Sequence, residues 1–299
     1  MNDSASHPMP GKQTVAAVSP VRMIALDLDG TLLRTDKSIG QKNAAALRAA
    51  HARGLKIVMA SGRMAASMER IASALGVDVC LISCNGAEVH GEAGLPGTRS
   101  TANMSPRRKR LFYQPLNAAV AREVVAYGKA HRYQVNFYHD DLVYSEDAPE
   151  LRPWIEIYRS RTNSPFQFVK NLDDYLHLAP PKVLYVVDPR LRGAIQKELE
   201  PRFGSRVTMM RTDPEYLEFL EPGIDKGVGL ARLAEVLGIP MGQVMAVGDG
   251  ENDIPMLAVA GWPVAVANAG PLCRAVARFF TRNDNDHDAV AEAVDRWVL

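Results

Sequence analysis

Cysteine is scarce in this chain, which has only three among 299 residues. This odd number does not indicate a disulfide framework, and Cys80 and Cys84 lie within or beside an apolar run, where reduced thiols fill core space. No second pair of cysteine or histidine residues accompanies them, as a zinc site would need. We therefore expect reduced, buried thiols, with Cys273 as the third.

Long hydrophobic runs and an excess of charge of one sign are also absent. No apolar run approaches the ~20 residues that span a bilayer, and the net charge of +1 predicts no general attraction to nucleic acid or to acidic membranes. The basic run at 107–110 has no interleaved aromatic residues, so we expect a solvated helix start there. Residues 1–20 lack a continuous apolar core, which predicts a flexible tail, no signal peptide and a cytoplasmic location.

The chain does contain a series of short apolar runs that stop at chemically active residues. The run at 23–26 is followed by Asp27, Leu28 and Asp29. It is typical of a buried parallel strand, and open α/β sheets place their chemistry beyond the carboxyl ends of such strands. Two aspartates at i and i+2 point the same way from extended backbone, so one can attack a substrate while the other handles protons.

Two further runs end in groups that suit phosphate and metal. The run at 55–60 stops at Ser61, Gly62 and Arg63, before a helical pattern, which favours phosphate held at a helix N-terminus. The run at 244–248 stops at Asp249, and Asp253 lies in the first turn of the next segment. These carboxylates offer the hard oxygen ligands that Mg²⁺ prefers.

A fourth run, at 80–84, is followed directly by Asn85. Lys226 lies at the start of a predicted helix with one apolar face. A lysine at such an opening can neutralise phosphate and nucleophile together, as a compact point charge. The length of 299 residues and the 47% hydrophobic content allow one sizeable core and a second, smaller one.

At these residues the chain resembles the haloacid dehalogenase superfamily of phosphohydrolases, and within it the Cof-type subfamily with a type IIB cap. Five motifs occur in the family's order between residue 22 and the C-terminus: DLDGTLL at 27–33, ASGR at 60–63, NGA at 85–87, DKG at 225–227 and GDGEND at 248–253. One departure is Ala289, where the family has glycine. The resemblance implies an α/β fold, with a Rossmann-like parallel-sheet core and an inserted α+β cap domain.

The pattern of apolar and polar residues changes in the middle of the chain, and this change predicts the limits of the domains. From about 88 to 220 the strand-tip pattern stops, and alternating strands and helices appear, which indicates an α+β sheet with helices on one face. We therefore predict a tail at 1–20, a discontinuous catalytic core at 21–87 and 222–299, and a cap domain at 88–221.

The resemblance also implies a Mg²⁺-dependent reaction on a small phosphate ester. Asp27 would attack phosphorus to form an aspartyl-phosphate, and Asp29 would act as acid and then as base. Mg²⁺ would bridge Asp27, the backbone carbonyl of Asp29, and Asp249, while Asp253 orients its water ligands. The implied catalytic residues are Asp27, Asp29, Ser61 and Lys226; the phosphate-binding residues are Leu28, Ser61, Gly62, Arg63, Asn85, Lys226 and Asn252; the metal-binding residues are Asp27, Asp29, Asp249 and Asp253.

Several alternatives stay open at this point. Arg63 reaches either the phosphate or a carboxylate of the cap. The aromatic group of the cap either lines a substrate pocket or belongs to the core or surface of the cap; it comprises Tyr138, His139, Tyr144, Trp154 and Tyr158. A phosphomutase of the phosphomannomutase type, or a non-catalytic protein that binds phosphate ligands, would use the same scaffold. Sugar phosphates are the commonest targets that the resemblance implies.

Overall fold

The computed structural model describes residues 20–92, 95, 98–99, 108–162 and 164–299, so almost all of the predicted tail lies outside the described residues. The strands are β1 Met23–Leu26, β2 Lys56–Ala60, β3 Val79–Ser83, β4 Glu88–Gly91, β5 Thr98–Arg99, β6 Lys109–Tyr113, β7 Gln134–His139, β8 Leu142–Glu146, β9 Phe166–Val169, β10 Val183–Val186, β11 Thr208–Arg211, β12 Tyr216–Leu220, β13 Val244–Gly248, β14 Trp262–Ala265 and β15 Phe279–Phe280. The helices are α1 Gln41–Ala52, α2 Ala65–Leu75, α3 Ala118–Ala130, α4 Arg152–Thr162, α5 Pro189–Phe203, α6 Lys226–Leu237, α7 Ile254–Val259, α8 Pro271–Val276 and α9 Ala289–Trp297.

The first of two sheets has the strand order β15-β14-β13-β1-β2-β3-β4-β6-β5. The strands from β15 to β3 run parallel, and β1 lies in the centre between β13 and β2. All four residues of β1 are fully buried, as expected for a parallel strand covered on both faces. The register aligns Leu26 with Met59 and with Val247, so the carboxyl ends of three central strands stop at the same edge. The predicted parallel-sheet core is confirmed.

The second sheet has the order β11-β12-β10-β7-β8-β9, and its pairs are antiparallel except for β8 with β9. One face packs against α3 and α5, through residues such as Val124, Leu199 and Tyr185. The opposite face carries alternate residues of the same strands, such as Leu184, and packs on Met64, which follows β2. We call the first sheet with its helices the first unit, and the second sheet with α3, α4 and α5 the second unit. The predicted α+β arrangement is found, but the prediction that its helices lie on one face is wrong, because Tyr158 of α4 packs with Leu184 on the face opposite to α3 and α5.

The change from one sheet to the other comes later in the chain than predicted. Strands β4, β6 and β5 continue the first sheet in antiparallel pairing, although residues 88–113 fall within the predicted cap segment. The predicted helix start in the basic run is wrong, because Lys109 begins strand β6. Arg108 is buried and pairs with Glu69 at 2.8 Å, whereas Arg107 lies outside the described residues. The domain limits at 88 and 221 stay a prediction.

The sequence analysis predicts that the three cysteines are reduced and buried. Cys80, Cys84 and Cys273 are all free and buried. Burial raises the pKa of the Cys80 thiol to about 12 and that of Cys273 to about 12, which keeps both protonated and unreactive.

Among the residues that the structure describes, no helix is both long and apolar enough to cross a membrane.

The turn after β3 is strained, and it depends on a glycine. Cys84, Asn85 and Gly86 all have positive φ, of 48°, 51° and 99°. A Cβ at Gly86 would collide with the backbone carbonyl oxygen of Asp225, the residue that precedes α6. Gly86 therefore allows the turn and the start of α6 to approach each other closely.

Gly54 provides a matched comparison, because its φ is +88° but a Cβ there would meet nothing within 4 Å. We expect Gly54→Ala to lower the free energy of unfolding by about 1 kcal/mol through backbone strain alone. Gly86→Ala adds the collision, and we expect a loss of about 3 kcal/mol or more. Urea denaturation of the two variants measures both values, and equal losses would show that the close approach is unimportant.

Candidate active site

The candidate site lies where the central strands of the first sheet end. Asp27 directly follows β1, and its backbone N–H donates to the carbonyl oxygen of Val247 in β13 at 3.0 Å. Asp249 follows β13 in the same way, and Ser61 follows β2. The parallel register thus brings three of the predicted residues to one edge of the sheet.

Lys226 is the central cation of this edge. It is the first residue of α6, whose N-terminus is capped by Asp225 through the Val228 N–H at 2.9 Å. Its Nζ donates to Oδ1 of Asp27 and to Oδ1 of Asp253, both at 2.6 Å, and the lysine side chain is fully buried. Burial alone would lower the pKa of Lys226, but Asp253 and Asp27 outweigh it and raise the pKa.

The loop after β13 fixes two more carboxylates. Asp253 Oδ2 accepts from the backbone N–H groups of Asp249 and Gly250, both at 2.9 Å. Asp249 Oδ1 accepts from the hydroxyl of Thr31 at 2.7 Å. Gly30 gives Asp249 its space, since a Cβ there would lie 2.5 Å from Asp249 Oδ2.

The grouped carboxylates repel one another. Burial, reinforced by the charge of Asp253, raises the pKa of Asp27 well above its ordinary value although Lys226 opposes the shift. Burial and the same neighbour raise the pKa of Asp249 to about 7. The site is therefore short of positive charge.

These features fit a divalent cation. One carboxylate oxygen from each of Asp27, Asp249 and Asp253 can be chosen so that all three lie within 4.8 Å of one another. Such hard oxygen donors suit Mg²⁺, and a single lysine leaves three ionised carboxylates with two uncompensated charges. Asp29 is predicted to bind the metal through its backbone carbonyl, and its side chain is not in this group.

Asp29 instead faces two cations. Arg63 binds its carboxylate in bidentate fashion, with both N–O distances at 2.7 Å, and Lys37 Nζ donates to it at 2.8 Å. Burial would raise the pKa of Asp29, but the hydrogen bonds and charges of Arg63 and Lys37 lower it to about 2. Arg63 also donates to the carbonyl oxygens of Arg161 and Thr162 at the end of α4. Its described contacts with that helix are thus with backbone carbonyls rather than with a carboxylate, and its contact with phosphate stays a prediction.

The remaining predicted residues surround the same edge. Ser61 is buried, and its hydroxyl oxygen accepts from the Arg63 N–H at 3.2 Å. Asn85 Oδ1 accepts from Asn252 Nδ2 at 3.1 Å, and the Asn85 side chain lies against Gly62, where a Cβ would be 3.0 Å from Asn85 Nδ2. Leu28 is buried, with its carbonyl oxygen bonded to the Leu33 N–H at 2.8 Å.

A cavity opens between this edge and the second sheet. Asp27, Asp29, Ser61 and Asp249 line one side, and aromatic and polar residues of the second unit line the other. Of the five aromatic-group residues, Tyr138 and Tyr158 line the cavity, joined by a hydrogen bond between their hydroxyls at 2.8 Å. Tyr144 packs instead on Tyr175 in the core of the second unit.

Several charged residues of the cavity wall escaped the sequence analysis, and two of them are buried. Lys182 precedes β10 and Glu218 lies in the middle of β12; both are about 2% exposed. A signal was present, because Glu218 is the one charged residue of the otherwise apolar strand YLEFL. Thr31 and Lys37 were also not predicted as partners of Asp249 and Asp29.

Comparison with known proteins gives relatives of similar sequence and fold. The family model for haloacid dehalogenase-like hydrolases matches residues 24–294. The 5-amino-6-(5-phospho-D-ribitylamino)uracil phosphatase YcsE of Bacillus subtilis is 28% identical over 93% of this chain and 96% of its own length. The HMP-PP phosphatase of Cronobacter sakazakii is 29% identical over 84% of this chain and 85% of its own. A haloacid dehalogenase-like hydrolase structure from Bacteroides thetaiotaomicron superposes with a TM-score of 0.78, at 26% identity, covering 92% of this chain and 99% of the other.

The raised pKa of Asp249 predicts a pH-dependent stability in the absence of metal. A folded-state pKa of about 7, above the ordinary 3.8, means that stability is lost as pH rises from about 4 through 7. We expect Asp249→Asn, whose amide oxygen still accepts from Thr31, to raise the free energy of unfolding at pH 8 by about 2 kcal/mol. At pH 4 the variant and the parent should differ little. Urea denaturation in EDTA at both pH values measures this, and an advantage of equal size at pH 4 would contradict it.

Proposed function

The chain belongs to the family of haloacid dehalogenase-like hydrolases, and on this premise we propose that it is a Mg²⁺-dependent phosphatase that hydrolyses a small-molecule phosphate monoester through an aspartyl-phosphate. The predicted family and the prediction of a hydrolase are confirmed. The observation that carries the proposed reaction is the position of Asp27 at the end of β1, bonded to Lys226 and grouped with Asp249 and Asp253.

Asp27 is the proposed nucleophile. Lys226 donates a hydrogen bond to Oδ1 of Asp27, and Asp27 lines the cavity. Attack on phosphorus forms the aspartyl-phosphate and breaks the bond to the leaving alcohol oxygen; water then attacks the phosphorus and regenerates the carboxylate. Lys226 compensates charge on both nucleophile and phosphate as the oxygens of the transferred group gain charge.

Asp29 is the proposed acid and base. It would protonate the leaving oxygen and then take a proton from the attacking water. In the present arrangement the Arg63 guanidinium holds the pKa of Asp29 near 2, after outweighing its burial. Proton donation therefore requires the Asp29 carboxylate to move away from Arg63, which frees that guanidinium to bind the ester.

The proposed metal would be held by Asp27 and Asp249, with the backbone carbonyl of Asp29 as a third ligand and Asp253 orienting its water ligands. Mg²⁺ supplies Lewis-acid stabilisation of the phosphoryl oxygens and offsets the repulsion between nucleophile and substrate. Ser61, the Gly62 and Leu28 backbone amides, Asn85 and Asn252 are the proposed phosphate contacts. Their surroundings support this role, because Ser61, Gly62 and Asn252 line the cavity beside Asp27.

A small substrate is supported by the cavity, since the second sheet covers the strand ends and contributes hydroxyl, carboxylate and ammonium groups. Two relatives carry names of phosphatases that act on small phosphorylated molecules. We propose the same class here, with a sugar phosphate or a cofactor phosphate as the ester.

Phosphate release from a panel of sugar, nucleotide and cofactor phosphates, with Mg²⁺ and with EDTA, tests the proposal. We expect release with Mg²⁺ and loss of release in EDTA, restored when Mg²⁺ is added in excess, because the carboxylates need the cation to accept a phosphate dianion. Isomerisation of a sugar phosphate without net release would favour the mutase. Folded protein that acts on none of the esters would favour a binding role.

Asp27→Asn tests the nucleophile. The amide is isosteric but does not attack phosphorus, so we expect turnover to fall at least about a thousandfold while the thermal unfolding temperature stays close to that of the parent. Asp36→Asn, in the same loop region but on an exposed carboxylate that bonds Ser38, is the matched control and should keep full activity. Turnover near the parent's value in Asp27→Asn would refute the mechanism.

A further inference from the structure

A buried ion pair lies in the cavity wall, outside the groups that the reaction uses. Lys182 Nζ and Glu218 Oε2 are 2.8 Å apart, and their side chains are 3% and 2% exposed. Both belong to the second unit, since Leu184 in β10 is in register with Glu218 in β12. Burying two charges is costly unless every donor and acceptor is used, and removal of one partner is strongly destabilising.

The second partners of this pair belong to the first unit. Lys182 Nζ donates to the backbone carbonyl oxygen of Gly62 at 2.7 Å. Glu218 Oε2 accepts from the side-chain amide of Asn85 at 2.9 Å. Gly62 and Asn85 are two of the proposed phosphate contacts, so one ion pair reaches both loops from the opposite sheet.

These bonds complete the restraint of both loops. The peptide between Gly62 and Arg63 is held at its carbonyl by Lys182 and at its N–H by the hydroxyl of Ser61. Asn85 is held at Nδ2 by Glu218 and at Oδ1 by Asn252. With both ends occupied, neither group can rotate without breaking a hydrogen bond, and the fixed carbonyl of Gly62 also restrains the N–H of that residue, which is the proposed phosphate contact.

The pair itself has little capacity left for a ligand. Besides Glu218 and Gly62, the Lys182 ammonium lies 4.7 Å from the ring centre of Tyr138. The other oxygen of Glu218, Oε1, accepts from the Thr212 hydroxyl at 2.8 Å. Polar groups whose hydrogen-bonding capacity is fully used orient their neighbours, in the way that residues hydrogen-bonded to metal ligands orient those ligands.

We propose that Lys182 and Glu218 are positioning residues that set the Gly62 peptide and the Asn85 side chain for phosphate, so that full affinity for the phosphate group requires the second sheet to be seated on the first. The role rests on the proposed function, because it assumes that the ester phosphate binds at these two loops. It assigns to the ion pair an effect on phosphate affinity that is the same for every leaving group.

Lys182→Met tests this role. We expect KM for each ester, and the inhibition constant of inorganic phosphate, to rise by one common factor of about ten, with a smaller change in kcat. Since the variant leaves Glu218 buried without its cation, the double variant Lys182→Met/Glu218→Gln removes the unpaired charge and should show the same common factor. Arg206→Met breaks the exposed pair of Arg206 with Glu123 in the same unit and should leave all constants unchanged.

The outcomes separate this role from others. Factors that differ between leaving groups would mean that Lys182 contacts the alcohol portion, and an unchanged inhibition constant in the folded double variant would mean a structural role alone; either result overturns the proposal. If the parent releases no phosphate from any ester, the proposed function fails, and calorimetric binding of inorganic phosphate still tests the pair, with the same tenfold loss expected. A parent that neither turns over nor binds phosphate refutes both.

Discussion

The ammonium group of Lys226 is the constraint on which the arrangement of the site depends. It is fully buried and lies 2.6 Å from carboxylate oxygens of Asp27 and Asp253, so the end of β1, the loop after β13 and the start of α6 must converge on it. A buried charge in this position is tolerated only with its partners in place. The parallel register of β1 with β13 and the close approach of Gly86 to Asp225 both serve that convergence.

Different surroundings separate the roles of two aspartates that are two residues apart. Asp27 lies among carboxylates, and burial together with Asp253 raises its pKa. Asp29 lies between Arg63 and Lys37, which overcome its burial and lower its pKa to about 2. Different environments that separate the pKa values of two carboxylates commonly give them different catalytic roles. Here the separation arises because Asp27 shares its one cation, Lys226, with Asp253, whereas Asp29 has two cations beside it.

The parts of the site that could be predicted from sequence are those that follow from local pattern. An apolar run that ends in Asp27 or Asp249 indicates a strand tip, and parallel sheets gather strand tips at one edge. Lys226 was identifiable because it opens a helix in a recognisable motif. The antiparallel extension by β4 to β6 was not predicted, since pairing partners depend on how distant segments meet.

Side-chain partners from the second unit were beyond prediction for the same reason. Periodicity places Glu218 in a buried strand, but it does not say that the strand faces Asn85, which is 133 positions away in the chain. The contacts of Arg63 with Asp29 and with two backbone carbonyls of α4 were likewise not predicted. Such contacts depend on the seating of one sheet on the other, which no local pattern contains.

The seating itself combines apolar packing with polar contacts that fit in one way only. Met64 and Leu184 pack in the seam between the sheets, and apolar contacts of this kind tolerate small displacements. The bonds from Lys182 to Gly62, from Glu218 to Asn85 and from Arg63 to the end of α4 do not, because hydrogen bonds weaken steeply with distance and angle. Gly62 and Asn85 are proposed phosphate contacts, and Arg63 also binds Asp29, the proposed acid. The shape of the proposed phosphate site therefore depends on the position of the second sheet.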